Sequence, residues 1–164
     1  MHDPASELRR IRLPRTSVNK GKMKGIIEVS SARASLMADM SAPTTARVML
    51  VEDHLSFRQS LALLLSREPD LEVVAQAGSL SEARQMLDTP LDVAVLDLSL
   101  PNGDGRELIV ELHRANAGIS VLVLSVSIRP GRLEEVLKAG AEAVLHKVAS
   151  PATIVEEVRR LAGR

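Results

Sequence analysis

The chain has 164 residues, 45% of them hydrophobic, enough for one domain with a buried core and an appendage. It has no cysteine, which excludes disulfides and thiolate metal sites, and its only aromatic residue is Phe57, which excludes stacking platforms for single-stranded nucleic acid. Formal charge is zero, yet residues 1–46 hold eight Lys/Arg against four Asp/Glu, and residues 47–164 hold thirteen against seventeen.

The basic segment 1–46 is rich in Ser, Ala and Met and shows no sustained periodicity beyond "GIIEVS", so it is expected to be a disordered extension. Met23, Met37 and Met40 offer later starts within it. It lacks the apolar core of a secretory signal, and no apolar run reaches the roughly 18 residues of a membrane span, so a cytoplasmic, non-membrane protein is expected.

From Arg47 to Arg164 short apolar runs alternate with amphipathic segments. "VMLV" (48–51) reads as a first strand, and Phe57, Leu61, Leu64 and Leu65 in "FRQSLALLLSRE" form one helical stripe. "LEVVA" (71–75) is a second strand. Ser79 or Ser81 then caps a helix running through Leu87, with Ala83 and Leu87 inward. "DVAVLD" (92–97) is the third strand, followed by a turn "PNGDG" that lacks the Gly-Lys-Ser/Thr of a phosphate loop and opens a helix over 105–115.

"SVLVLS" (120–125) is the fourth strand. A helix after Pro130 carries Leu133, Val136 and Leu137 and ends at Gly140. "EAVLHK" (142–147) is the fifth strand, and Ser150-Pro151 starts a last helix with Ile154, Val158 and Leu161 inward. Near-continuous apolar strands separated by helices predict an α/β fold: a flavodoxin-like, doubly wound five-stranded parallel sheet, order 2-1-3-4-5, with helices on both faces.

In such sheets a site forms beyond the carboxyl ends of the strands, at the switch between strands 1 and 3. Those ends carry Glu52 and Asp53, Asp97, Ser125 and Lys147. Three converging carboxylates repel one another unless a cation joins them, and an all-oxygen donor set suits Mg²⁺. With a lysine and a hydroxyl aimed at the same space, the chemistry is that of phosphoryl transfer to an aspartate, Asp97. His54, His113 and His146 have no ligand spacing, and His54 fits the start of the first helix.

"LVEDH", "VLDLSLPNGDG", "VLVLS" and "AVLHK", in that order, resemble the receiver domain of bacterial response regulators. "VEDHLSFRQSLALLL", "EPDLEVVAQAG" and "HKVASP" are most similar to receivers of NarL/LuxR-type transcription factors. The resemblance spans Arg47 to Arg164. It implies that Asp97 is the phosphoacceptor and that Glu52, Asp53, Asp97 and the Ser99 backbone carbonyl hold Mg²⁺. Ser125 and Lys147 would contact the phosphoryl group. Val144 stands where many receivers have a switching Tyr or Phe, so the aromatic readout is missing. Ser99 and Ser127, small residues beside the acceptor, imply a short-lived phosphorylated state.

The implied partners are a sensor histidine kinase or phosphotransfer protein as donor and an unknown downstream protein, with a homodimer open. Since the chain stops directly after the fifth helix, no recognition helix is expected, and the expected function is a single-domain response regulator without sequence-specific DNA binding. Alternatives are a phosphorylation-independent adaptor, a truncated transcriptional regulator, an aspartyl phosphatase and weak DNA contact through the basic arm. Ser99 argues against the phosphatase, which would want an Asp there as general acid.

Overall fold

A computed structural model describes residues 44–101, 103–127 and 129–163, and the expected basic arm therefore lies, up to residue 43, outside the described residues. The sheet starts at Ala46, one residue before the expected boundary, because this alanine is fully buried and pairs with Leu71. The elements are β1 (Ala46–Val51), α1 (Leu55–Leu65), β2 (Leu71–Ala77), α2 (Leu80–Arg84) and β3 (Val93–Asp97). They continue with α3 (Gly105–Ala115), β4 (Ser120–Ser125), α4 (Pro130–Ala139), β5 (Ala143–His146) and α5 (Pro151–Leu161). All four strand pairings are parallel and the order is β2-β1-β3-β4-β5, as the alternating pattern predicts.

Successive residues of the central strands point to opposite faces, and both faces are apolar. Ala94, Leu96, Val121 and Val123 pack with Leu80, Leu108, Ile109, Leu112 and Val136 beneath α2, α3 and α4. Val93, Val95, Leu122 and Leu124 pack with Leu61, Leu65, Ile154, Val155 and Val158 beneath α1 and α5.

Helix starts follow short-range chemistry. The Ser79, Asp104 and Ser150 side chains accept from Glu82 N, Arg106 N and Thr153 N and so cap α2, α3 and α5. One expectation needs correction. α2 stops at Arg84 rather than Leu87, because Gln85, Met86 and Thr89 bond carbonyls three residues back and the chain tightens into turns. Of the apolar residues of α4, Val136 fills the buried side and Leu137 is exposed. Gly140 ends α4 with φ +112°, as expected of its left-handed cap.

Arg159 on α5 reaches across to the turn before β2, donating to Asp70 at 2.7 Å through both Nε and Nη2 and to Glu68 at 2.6 Å. Arg159→Ala is expected to lower the urea midpoint, and to lower it less at high salt, the behaviour of a partly exposed ion-pair network. A loss that salt leaves unchanged would point to packing instead.

Candidate phosphoacceptor site

β1, β3 and β5 deliver their chemistry at one edge because parallel strands end on the same side. Asp97 is the last residue of β3 and is 2% exposed. Its Oδ1 accepts from Ser99 N at 3.0 Å and its Oδ2 from Lys147 Nζ at 2.8 Å. Glu52, 3% exposed, lies just past β1. Its Oε2 pairs with the same ammonium at 2.7 Å, and its Oε1 accepts from His54 N at 3.1 Å.

Lys147 is therefore a clasp between two buried carboxylates. Burial pulls its ammonium down, but hydrogen bonds to Asp97 and Glu52 outweigh that, and its pKa is raised above the usual lysine value. The Lys147 backbone N–H also donates to Ser125 O at 2.9 Å, which ties its position to the end of β4. The Phe57 ring lies 5.2 Å below the ammonium, within cation–π range. Thus the chain's sole aromatic residue stands beside the site.

The remaining candidates are placed as follows. Asp53 is half-buried beside Glu52. Ser125 is 4% exposed, and its hydroxyl donates to Ser127 O at 3.0 Å and accepts from Ser127 N at 3.3 Å, so it is held by its own loop. Ser99 and Ser127 are exposed. Val144 is half-buried and borders, with Ser125, Leu133 and Val136, a cavity of about 10 Å³. That space holds at most one water.

Three features were not foreseen. His54 brings Nδ1 to 3.0 Å from Asp53 Oδ1 and 3.2 Å from Glu52 Oε1, so Glu52, Asp53 and His54 offer three donor atoms within 4.8 Å. Asp97 is not in that group and faces Lys147. Arg58 on α1 donates to the Glu52 carbonyl and holds the strand end that carries the acidic pair. Arg106 joins Asp104 and Glu135, linking the start of α3 to α4. None has a spacing signature, since each depends on which elements become neighbours.

Glu52 and Asp53 at the end of β1 offer carboxylate oxygens of the kind a hard divalent cation takes, and half-buried Asp53 leaves a route to them. Gly105 sets how closely α3 approaches the end of β3: a Cβ there would lie 3.1 Å from the Asp97 carbonyl oxygen and from Leu98 Cα. Gly105→Ala is expected to destabilise by about 1–2 kcal/mol despite alanine's better helix propensity, read as a lower urea midpoint. A raised midpoint would show that the strand end yields freely.

This sheet, with an acidic pair and a strand-end aspartate at the switch between β1 and β3 and a lysine just past β5, has the architecture of a receiver-type signalling domain. The family model for the response regulator receiver domain matches residues 48–159, and the chain belongs to that family. The transcriptional regulatory protein UhpA of Salmonella typhimurium is 40% identical over 116 residues, 70% of this chain and 58% of that protein. The chain thus spans about half the length of the curated relatives it matches.

A LuxR-family two-component response regulator from an Aurantimonas species superposes with a TM-score of 0.67 at 32% identity, covering 74% of this chain and 88% of that one. A Burkholderia pseudomallei response regulator with a phosphorylated aspartic acid, a calcium ion and citrate superposes at 0.65 and 25% identity, covering 72% and 69%. Receiver domains of two-component systems interact with histidine kinases or phosphotransfer proteins, and they generally bind Mg²⁺ at an acidic pocket. No helix among the described residues is long and apolar enough to cross a membrane.

Proposed function

We propose that this domain accepts a phosphoryl group on Asp97 from a histidine kinase or phosphotransfer protein and thereby switches its protein contacts in the cytoplasm. The observation that carries this reading is the buried Asp97 carboxylate held by Lys147 beside Glu52. An Asp97 oxygen attacks phosphorus, the bond from phosphorus to the donor's leaving atom breaks, and that atom departs with the electron pair. Glu52, Asp53, Asp97 and the Ser99 carbonyl would hold Mg²⁺, which when bound supplies charge neutralisation for the phosphoryl oxygens.

Lys147 then exchanges a carboxylate oxygen for a phosphoryl oxygen, and Ser125 leaves Ser127 to donate to the same group. That movement remodels the loop after β4. The space beside Val144 is too small for a swinging aromatic, so the change would pass through this loop and α4 rather than through a ring. Exposed Ser99 and Ser127 leave water a path to the acyl phosphate, which supports a short-lived phosphorylated state.

The test is intact mass after incubation with acetyl phosphate and Mg²⁺. A gain of about 80 Da, for one phosphoryl group, that vanishes with EDTA supports the reading. A folded protein that takes up nothing favours a phosphorylation-independent adaptor.

A further inference from the structure

A cleft of about 550 Å³ opens beside the acceptor, bounded by Ser99, Ser125, Ser127, Arg129, Arg132 and Glu135. Its size suits a small organic ligand. Ser99, whose backbone N–H donates to Asp97 Oδ1, and Ser125 both line the cleft, so it adjoins Asp97. Glu135, the cleft's one acid, is paired with Arg106. Arg129 and Arg132 enter no ion pair among the described residues, although Arg132 acts on Asp104 electrostatically. The result is a cationic cleft next to a site made of carboxylates.

The phosphoryl group itself belongs at Asp97 and Lys147, so the free arginines serve another part of the donor. In-line displacement sends the leaving group away from the attacking oxygen, into the open space beside the acceptor. The geometry points to a leaving-group subsite for carboxylate anions: Arg129 and Arg132 receive the acid released when the domain takes its phosphoryl group from an acyl phosphate.

This rests on Asp97 being the acceptor. With acetyl phosphate, the Asp97 oxygen–phosphorus bond forms, the phosphorus–oxygen bond to the acyl group breaks, and acetate leaves with the electron pair as an anion. With N-protonated phosphoramidate, the phosphorus–nitrogen bond breaks instead and neutral ammonia leaves. Arginine stabilises the first leaving group and has no charge to meet in the second.

The experiment compares phosphorylation rates of the full chain and of Arg129→Gln/Arg132→Gln, with Mg²⁺, using acetyl phosphate and phosphoramidate in parallel. The expected result is a loss of about tenfold with acetyl phosphate and less than about twofold with phosphoramidate. The retained phosphoramidate rate also shows that the variant is folded. Equal losses with both donors, or no loss with either, would overturn the subsite. A wild-type chain modified by neither donor would instead remove Asp97 as acceptor, and the subsite with it.

Discussion

Asp97→Asn is expected to abolish the mass gain from acetyl phosphate while the domain stays folded. The amide cannot act as an oxyanion nucleophile, so uptake is lost altogether rather than slowed. Its carbonyl oxygen still accepts from Ser99 N, and Lys147 keeps Glu52 as a partner, so the fold loses one charge-assisted contact and retains the rest. Its stability should stay within about 2 kcal/mol of wild type. A variant that still gains the phosphoryl mass would place the acceptor elsewhere.

Lys147→Met is expected to cost more stability than any other single change at this site. It leaves Glu52 and Asp97, at 3% and 2% exposure, without the ammonium they share. Removing one partner from a buried ionic cluster costs about 3–5 kcal/mol, because the remaining charges stay desolvated. Lys147→Arg keeps the charge and should recover part of the loss, limited by the different shape of guanidinium. Urea denaturation at pH 7 measures both, and a loss under about 1 kcal/mol for methionine would mean that water reaches the two carboxylates.

The pH dependence has a definite sign. Lys147 is held above the ordinary lysine value of 10.5, so its contribution is complete below that pH and is lost as pH rises through the folded value. The stability gap between wild type and Lys147→Met should therefore be flat from pH 7 to about 10 and close above it. A gap that closes at neutral pH would contradict the clasp.

Positions at the strand ends were legible in the sequence because a parallel sheet delivers its carboxyl ends to one edge, and a run such as "VAVLD" marks that edge directly. Helix starts were legible for the same local reason, through Ser caps and Pro at the first turn. Partner choice was not. The strand-end pattern marks Lys147 as a phosphoryl contact, and nothing in the chain announces that its ammonium also bridges to Glu52. Ser125 turning to Ser127 is a choice among rotamers that only the packed loop decides. His54 joining Glu52 and Asp53 depends on how α1 leaves β1. The early stop of α2 depends on competing three-residue bonds, which its apolar spacing does not reveal.

The Lys147–Asp97 bond joins residues 50 positions apart, and β1 pairs with β3 across the β2 and α2 that separate them in the sequence. No hairpin or single helix can form this site early in folding, since loop closure must come first. Assembly of the site and completion of the sheet are therefore one cooperative event. Any anion or cation captured at the finished edge is linked to the folding equilibrium of the whole domain, and one present well above its dissociation constant stabilises it by an amount that grows with the logarithm of its concentration.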